Sequence, residues 1–275
     1  MLALEQQNLS AALRYLELYN HDIERFVPEC YLPDYQVHAM GAGVIRGYAR
    51  FLEIERAVLK VAPKRRMRLD HFHVAGDAVV LEIALLNPDA GATWELLFVA
   101  VLVMRDGKIA IDRSYADWPR WPGLGDMSAA GPVPRRVAAS PPPAQDGMSS
   151  RTRANLAVAE RYVELYNTDP ERFVCECYHT DYRVGAMGLG WYDGIDKFVG
   201  IEKSVLKAAP ARRMRVDCMH ATETAVVVEA VVTDDARGAD WELPFIAALE
   251  IRGDKIAVDR TYAEFAKWPG LEGTI

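Results

Sequence analysis

Two α+β domains of one kind, joined in tandem, are predicted by three observations. The chain repeats itself at a constant offset, each copy reads as helices first and strands afterwards, and a stretch rich in Pro, Ala and Ser separates the copies. The segment Trp94-Glu-Leu returns as Trp241-Glu-Leu, and Lys108-Ile-Ala-Ile-Asp-Arg-Ser-Tyr-Ala returns as Lys255-Ile-Ala-Val-Asp-Arg-Thr-Tyr-Ala, both 147 positions later. At that offset residues 8–124 align on 155–271 without a gap, with roughly half the pairs identical. A period this long is a duplicated domain, since each unit is large enough to close its own core. The expected boundaries are a first domain over 1–125, a linker over 126–150 and a second domain over 151–275.

Within one copy, Leu9, Ala12, Leu13, Leu16 and Tyr19 recur at helical spacing, as do Leu156, Ala159, Tyr162, Val163 and Tyr166. A second short helix is expected over Ile23–Cys30. Alternation from Asp34 predicts a short strand closed by Gly41 and Gly43, and a third helix covers Tyr48–Val61 and stops at Pro63. From Arg66 the period becomes two: Met67, Leu69, His71 and His73 alternate with Arg66, Arg68, Asp70 and Phe72. Turns at Gly76-Asp77 reversed as a hairpin, at 88–91 and at Asp106-Gly107 then divide Val79–Leu86, Thr93–Arg105 and Lys108–Ala116 into a long antiparallel meander. Such a sheet covers its apolar concave face with the helices. A flexible linker of about 25 residues spans on the order of 25–30 Å, enough for the halves to pack as an intramolecular pseudo-dimer.

About half the residues are apolar, and the formal net charge of −7 comes with no basic cluster beyond the short run at 64–68. Nucleic acid and anionic membrane are thereby disfavoured as partners. The four cysteines do not form a disulfide framework, which suits a reducing cytoplasm. Cys175-x-Cys177 has no second ligand pair and reads as buried thiols rather than a metal site. The N-terminus lacks a signal-peptide pattern, and no apolar run reaches about 18 residues. Phosphate loops, nucleophile elbows, zinc spacings and nucleotide fingerprints are absent as sequence patterns, so neither cofactor nor metal is expected.

Arg14-Tyr15 on a helix, Tyr31-x-x-Asp34, Gly47 opening a helix, Gly107-Lys108-Ile109, and Arg113-x-Tyr115-x-Asp117 occur in an order and spacing that resemble the nuclear transport factor 2-like superfamily. The likeness is greatest to its SnoaL-type polyketide cyclase, ketosteroid isomerase and limonene-epoxide hydrolase branch, and covers nearly all of both copies. The resemblance implies that each domain is a cone-shaped α+β barrel with a deep apolar cavity. It also implies chemistry that must be tested position by position. The places of the epoxide hydrolase's Tyr, Asn, Arg and two Asp residues fall on Val37, Ala39, Ile83, Leu85 and Ser114, and in the second copy on Val184, Ala186, Ala230, Val232 and Thr261, so that its water activation is not supported. The isomerase's general base maps near Ala39 and its oxyanion Asp near Val99, leaving its Tyr as Tyr15 and Tyr162.

By the parity that the resemblance implies, Trp94, Leu96, Phe98, Asp112 and Ser114 point into the cavity, with Asp112 and Asp259 as the acidic exceptions. A strand carboxylate among apolar neighbours is a candidate base; the competing reading is a buried acid held by an amide or an arginine such as Arg66. Glu55 and Glu202 lie in the apolar stripe of the third helix, either as proton-transfer groups or as carboxylates reaching Arg56, Lys203 or the helix edge. Tyr15 and Tyr162 are candidate oxyanion donors, or core tyrosines. His73 and His220, near a strand end, are candidate proton shuttles, or structural. Trp94, Trp241, Phe98, Phe245, Ser114, Thr261, Tyr35 and Tyr182 complete the expected substrate-binding wall, which suits a flat apolar ligand. Trp121-Pro-Gly and Trp268-Pro-Gly are placed to cover a cavity mouth or an interdomain seam.

These residues point to a cofactor-independent acid–base enzyme, a lyase or isomerase acting on a hydrophobic, aromatic small molecule. Dehydration, cyclisation, isomerisation and retro-aldol cleavage such as diaryl-propanediol deformylation all need a base, an acid and an apolar wall. The alternative is a ligand-binding or scaffolding protein without catalysis.

Overall fold

The computed structural model describes residues 3–124 and 148–271, so the expected linker lies outside the described residues up to position 147. The chain divides into two compact units. In the first, helices α1 (Ala3–His21) and α2 (Ile23–Cys30) precede strands β1 (Tyr31–Ala39) and β2 (Gly43–Ile45). Helix α3 (Tyr48–Val61) and strands β3 (Arg66–Ala75), β4 (Ala78–Leu86), β5 (Glu95–Arg105) and β6 (Lys108–Tyr115) follow. The second repeats the order as α4 (Ser150–Thr168), α5 (Pro170–Cys177), β7 (Tyr178–Ala186), β8 (Gly190–Tyr192), α6 (Ile195–Ala208), β9 (Arg212–Ala221), β10 (Ala225–Asp234), β11 (Glu242–Arg252) and β12 (Lys255–Ala263).

Local chemistry explains the element ends. Asp22 and Asp169 cap α2 and α5, accepting from the amides of Arg25 and of Glu171 and Arg172 respectively. Asn20 clamps the end of α1 onto the sheet, accepting from Met67 N at 2.7 Å and donating to Met67 O at 2.9 Å. Asn167 holds Met214 in the same way, at 2.7 and 2.9 Å. Each sheet therefore receives its first helix at a fixed position over the apolar face.

The strand order is β2-β1-β6-β5-β4-β3 in the first unit and β8-β7-β12-β11-β10-β9 in the second. Two features differ from the expected antiparallel barrel. Each sheet is open, with β2 and β3, or β8 and β9, at its edges, and the pair β1·β6, like β12·β7, is parallel. The meander accounts for β3 to β6, but β1 starts earlier than the alternation suggests, at Tyr31, and runs beside β6 with Val37 opposite Asp112. Each unit buries its own core. In the first, Tyr15, Phe26, Phe51, Val58, Leu81, Ile83, Phe98 and Leu102 belong to it; in the second, Tyr162, Phe173, Phe198, Val205, Val228, Ala230, Phe245 and Leu249 do.

A bulge in β3 decides which face two histidines occupy. Leu69 pairs with Ile83 while His71 pairs with Glu82, so Asp70 is an extra residue and the side-chain alternation reverses there. Asp217 does the same in β9. Met67 and Leu69 join the core, whereas His71 and His73 lie on the other face of the sheet with Glu82. All four cysteines are free thiols; Cys177 is buried, but Cys175 is exposed, because residues two apart on a helix point to nearly opposite sides. No described helix is long and apolar enough to cross a membrane.

Candidate active site

In each unit a carboxylate on the last strand is held by a tyrosine from the first strand. The Asp112 side chain, 2 % exposed, accepts from the Tyr31 hydroxyl at 2.7 Å on Oδ2 and from the Ser114 hydroxyl at 2.8 Å on Oδ1. Asp259, also 2 % exposed, accepts from Tyr178 at 2.7 Å and from Thr261 at 2.9 Å. The parallel neighbour strand delivers the tyrosine; the Ser or Thr two residues on shares the Asp's face. Burial pushes both carboxyls up, opposed by these hydrogen bonds and by the adjoining arginine, Arg113 or Arg260. For Asp259 the result is about 6. The groups that hold Asp112 are thus the Tyr31 and Ser114 hydroxyls, rather than the amide or the Arg66 guanidinium of the competing reading.

The second unit holds a cavity of about 280 Å³. Asp259, Thr261, Glu202, Tyr162 and Tyr178 supply its polar atoms, and Tyr166, Phe173, Phe198, Val205, Phe265 and Trp268 belong to its apolar wall. Tyr162 packs against Phe173 and Tyr178, with ring centroids 5.1 and 6.4 Å away. Burial, reinforced by the nearby charge of Asp259, pushes its phenol well above the ordinary value, so it stays a proton donor. Tyr15 has the same environment beside Phe26, Tyr31 and Asp112.

Trp268 reaches the wall because the chain turns sharply after it. Gly270 has φ of 86° and rests on α6; a Cβ there would lie 2.8 Å from Val205 Cα, so only glycine allows this approach. Phe245 stands behind Trp268, with centroids 5.2 Å apart and planes at 70°.

Glu55 is buried and Glu202 keeps only 13 % of its side chain exposed, and each has a partner that differs from the expected ones. Arg65 donates to Glu55 at 3.1 Å and to the Tyr19 hydroxyl at 3.0 Å, with its guanidinium 4.4 Å above the Tyr19 ring. Arg212 binds Glu202 at 2.8 Å and Tyr166 at 3.1 Å, 4.6 Å above that ring. Arg56 instead bonds Glu24, and Lys203 bonds Glu171, both on the exposed side. Burial raises both glutamates against the pull of the arginine, Glu55 to about 7.

Several expected site residues lie elsewhere. His73 and His220 bind Glu82 and Glu229, at 2.9 and 2.6 Å, on the sheet face away from Asp112 and Asp259, because of the bulge. Trp241 does not line the cavity; it packs at the core edge under the guanidinium of Arg237, 5.0 Å from the ring, and Trp94 likewise packs at the edge of the first core. Phe98 meets Trp121 edge-on, with ring centroids 4.9 Å apart, as Phe245 does Trp268. Tyr182 lies behind the wall residues Tyr178 and Phe198, and the buried hydroxyls of Tyr35 and Tyr182 have no hydrogen-bond partner among the described residues.

The copies also differ at the cavity. Gly185 lines it with backbone atoms: it pairs with Arg260, between the pairs of Val184 with Asp259 and Ala186 with Thr261, so a Cβ there would point to the other face of the sheet and meet the Trp191 ring at 3.1 Å and Met187 Sδ at 2.9 Å. The first copy carries His38 and Val44 at those positions, and His38 is buried against Gln36 at 3.1 Å. Sequence reasoning missed Tyr31, Tyr178, Arg65 and Arg212; their signal was duplication at identical offsets beside the candidate acids.

No curated protein matches the chain. Among solved structures it is similar to a proposed SnoaL-like polyketide cyclase from Jannaschia sp. CCS1, at 18 % identity over 47 % of this chain and 95 % of that one, with a TM-score of 0.39. It is also similar to a nuclear transport factor 2-like protein from Anabaena variabilis ATCC 29413, at 20 % identity over 42 % and 94 % of the two chains, with a TM-score of 0.37. The family model for the SnoaL-like domain matches twice, at residues 12–111 and 159–258, covering more than half of the chain. The chain therefore belongs to the SnoaL-like domain family and carries that domain twice.

Proposed function

We propose that the protein is a cofactor-independent acid–base enzyme, a lyase or isomerase, that acts on a small hydrophobic aromatic molecule. The observation that carries this reading is the Asp259 carboxylate, poised at about 6 in the wall of an aromatic cavity that also contains the Tyr162 phenol. At neutral pH Asp259 is ionised and each oxygen keeps a lone pair beyond the bond it accepts, so it takes a proton from substrate directly or through the Tyr178 hydroxyl. Tyr162, kept protonated, donates to the oxygen on which negative charge develops. Glu202, fixed by Arg212, adjusts the field in the cavity.

The same groups serve dehydration, cyclisation, isomerisation or retro-aldol cleavage. In the last, Asp259 removes a hydroxyl proton, the adjacent C–C bond breaks as the carbonyl forms, its electron pair passes into an enolate whose oxygen accepts from Tyr162, and the protonated Asp259 returns the proton to carbon. The test is incubation of the purified full-length chain with a panel of aromatic alcohols, diols and polyketide-like ketones, read by mass spectrometry. Turnover that disappears when both Asp112→Asn and Asp259→Asn are introduced supports the assignment. Compounds that bind and return unchanged would instead favour the non-catalytic ligand carrier.

A further inference from the structure

On the other face of the second sheet, the bulge at Asp217 sets Cys218 directly opposite Glu229, with His220 two residues further along the same strand. The ligand-type atoms Cys218 Sγ, a ring nitrogen of His220 and a carboxylate oxygen of Glu229 all lie within 4.8 Å of one another. His220 and Glu229 are buried, and Cys218 is half-buried. We propose that Cys218, His220 and Glu229 form a binding site for a divalent transition metal of the zinc class, separate from the aromatic cavity.

The geometry needs little change to receive the ion. Around zinc, with Zn–S of about 2.3 Å and Zn–N or Zn–O of about 2.0–2.2 Å, tetrahedral ligand atoms stand roughly 3.3–3.6 Å apart. The His220 Nε2 to Glu229 Oε1 distance is 2.6 Å, so side-chain rotation that opens this pair by under about 1 Å, and brings the sulfur in, suffices. The metal takes the place of the shared proton, the thiol gives its proton to solvent, and a fourth position remains for water. Glu229 uses one oxygen for the metal and retains the other for its remaining interactions. A sulfur–nitrogen–oxygen set selects a zinc-class ion over magnesium or calcium, which take oxygen ligands.

The first copy supplies a second observation. His73 and Glu82 make the same pair at 2.9 Å, and His71 stands opposite Glu82 where Cys218 stands opposite Glu229. The third position thus carries a transition-metal ligand type in both copies, which differ at roughly half their positions, although His71 is exposed and, among the described residues, only the second copy gathers the three ligand atoms together. A purely structural ion pair accounts for the histidine and the glutamate but leaves that third residue unconstrained.

The test uses the full-length chain, stripped with EDTA and titrated with cobalt(II) as the spectroscopic probe and with zinc against a chromogenic chelator. The expected result is a thiolate-to-cobalt charge-transfer band and zinc retention, both surviving Cys175→Ser. Cys218→Ser should abolish the band and weaken zinc binding at least tenfold. This variant leaves the buried His220–Glu229 pair intact, so its fold, checked by circular dichroism, should be retained. Glu229→Gln should weaken zinc binding without removing the thiol. Absence of binding at micromolar free metal, cobalt bound without a thiolate band, or unchanged binding by Cys218→Ser would overturn the proposal.

Discussion

The Tyr178 hydroxyl donates to Asp259 Oδ2 at 2.7 Å, and 147 positions upstream the Tyr31 hydroxyl makes the same 2.7 Å bond to Asp112. This bond lowers the carboxyl that burial raises, so it helps to set the pH at which the base becomes ionised. An unprotonated Asp259 is the active form under the proposed mechanism. For turnover by the second domain, kcat/KM should rise with pH through about 6 and level off above it. Removing the donor by Tyr178→Phe should move that rise to higher pH, because one of the bonds favouring the anion is gone. A pH–rate profile of Tyr178→Phe that overlays the parental one would contradict this assignment of the tyrosine.

The same raised carboxyl predicts a pH-dependent stability. Asp259 goes from an ordinary 3.8 when unfolded to about 6 when folded, so the folded state favours the protonated form. Its stabilising contribution is full below about pH 4 and is lost as pH rises through about 6, amounting to roughly 3 kcal/mol. Asp259→Asn keeps an acceptor for Tyr178 and carries no charge. Urea unfolding should therefore find this variant similar to the parent near pH 4 and more stable by roughly 2–3 kcal/mol near pH 7.5. A difference that does not change with pH would show that the carboxyl is not raised.

The duplication, the helix sequence and the late meander were legible because periodicity and repetition are local signals. The candidate acids Asp112 and Asp259 were legible for the same reason, as charged exceptions within an alternating strand. The partners were not. Tyr31 and Tyr178 reach the acids only because β1 and β7 lie parallel to the last strand, a long-range pairing that alternation within a strand does not reveal. His73 and His220 were placed on the wrong face because a single extra residue, Asp70 or Asp217, reverses the parity that sequence reading assumes constant. Arg65 and Arg212 each lie two residues after a proline, one just before β3 and the other at the start of β9, where a basic residue ordinarily reads as exposed; the structure buries both against a tyrosine and a glutamate.

That burial makes the arginine and glutamate interdependent. Arg212→Met leaves Glu202, an acid with 13 % of its side chain exposed, without its buried partner and should cost on the order of 3 kcal/mol of unfolding free energy. Adding Glu202→Leu removes the stranded acid and should recover most of the loss. Denaturant titration of the parent, both single variants and the double variant gives the coupling directly. If the double variant is as unstable as the sum of the singles, the pair does not act as a unit.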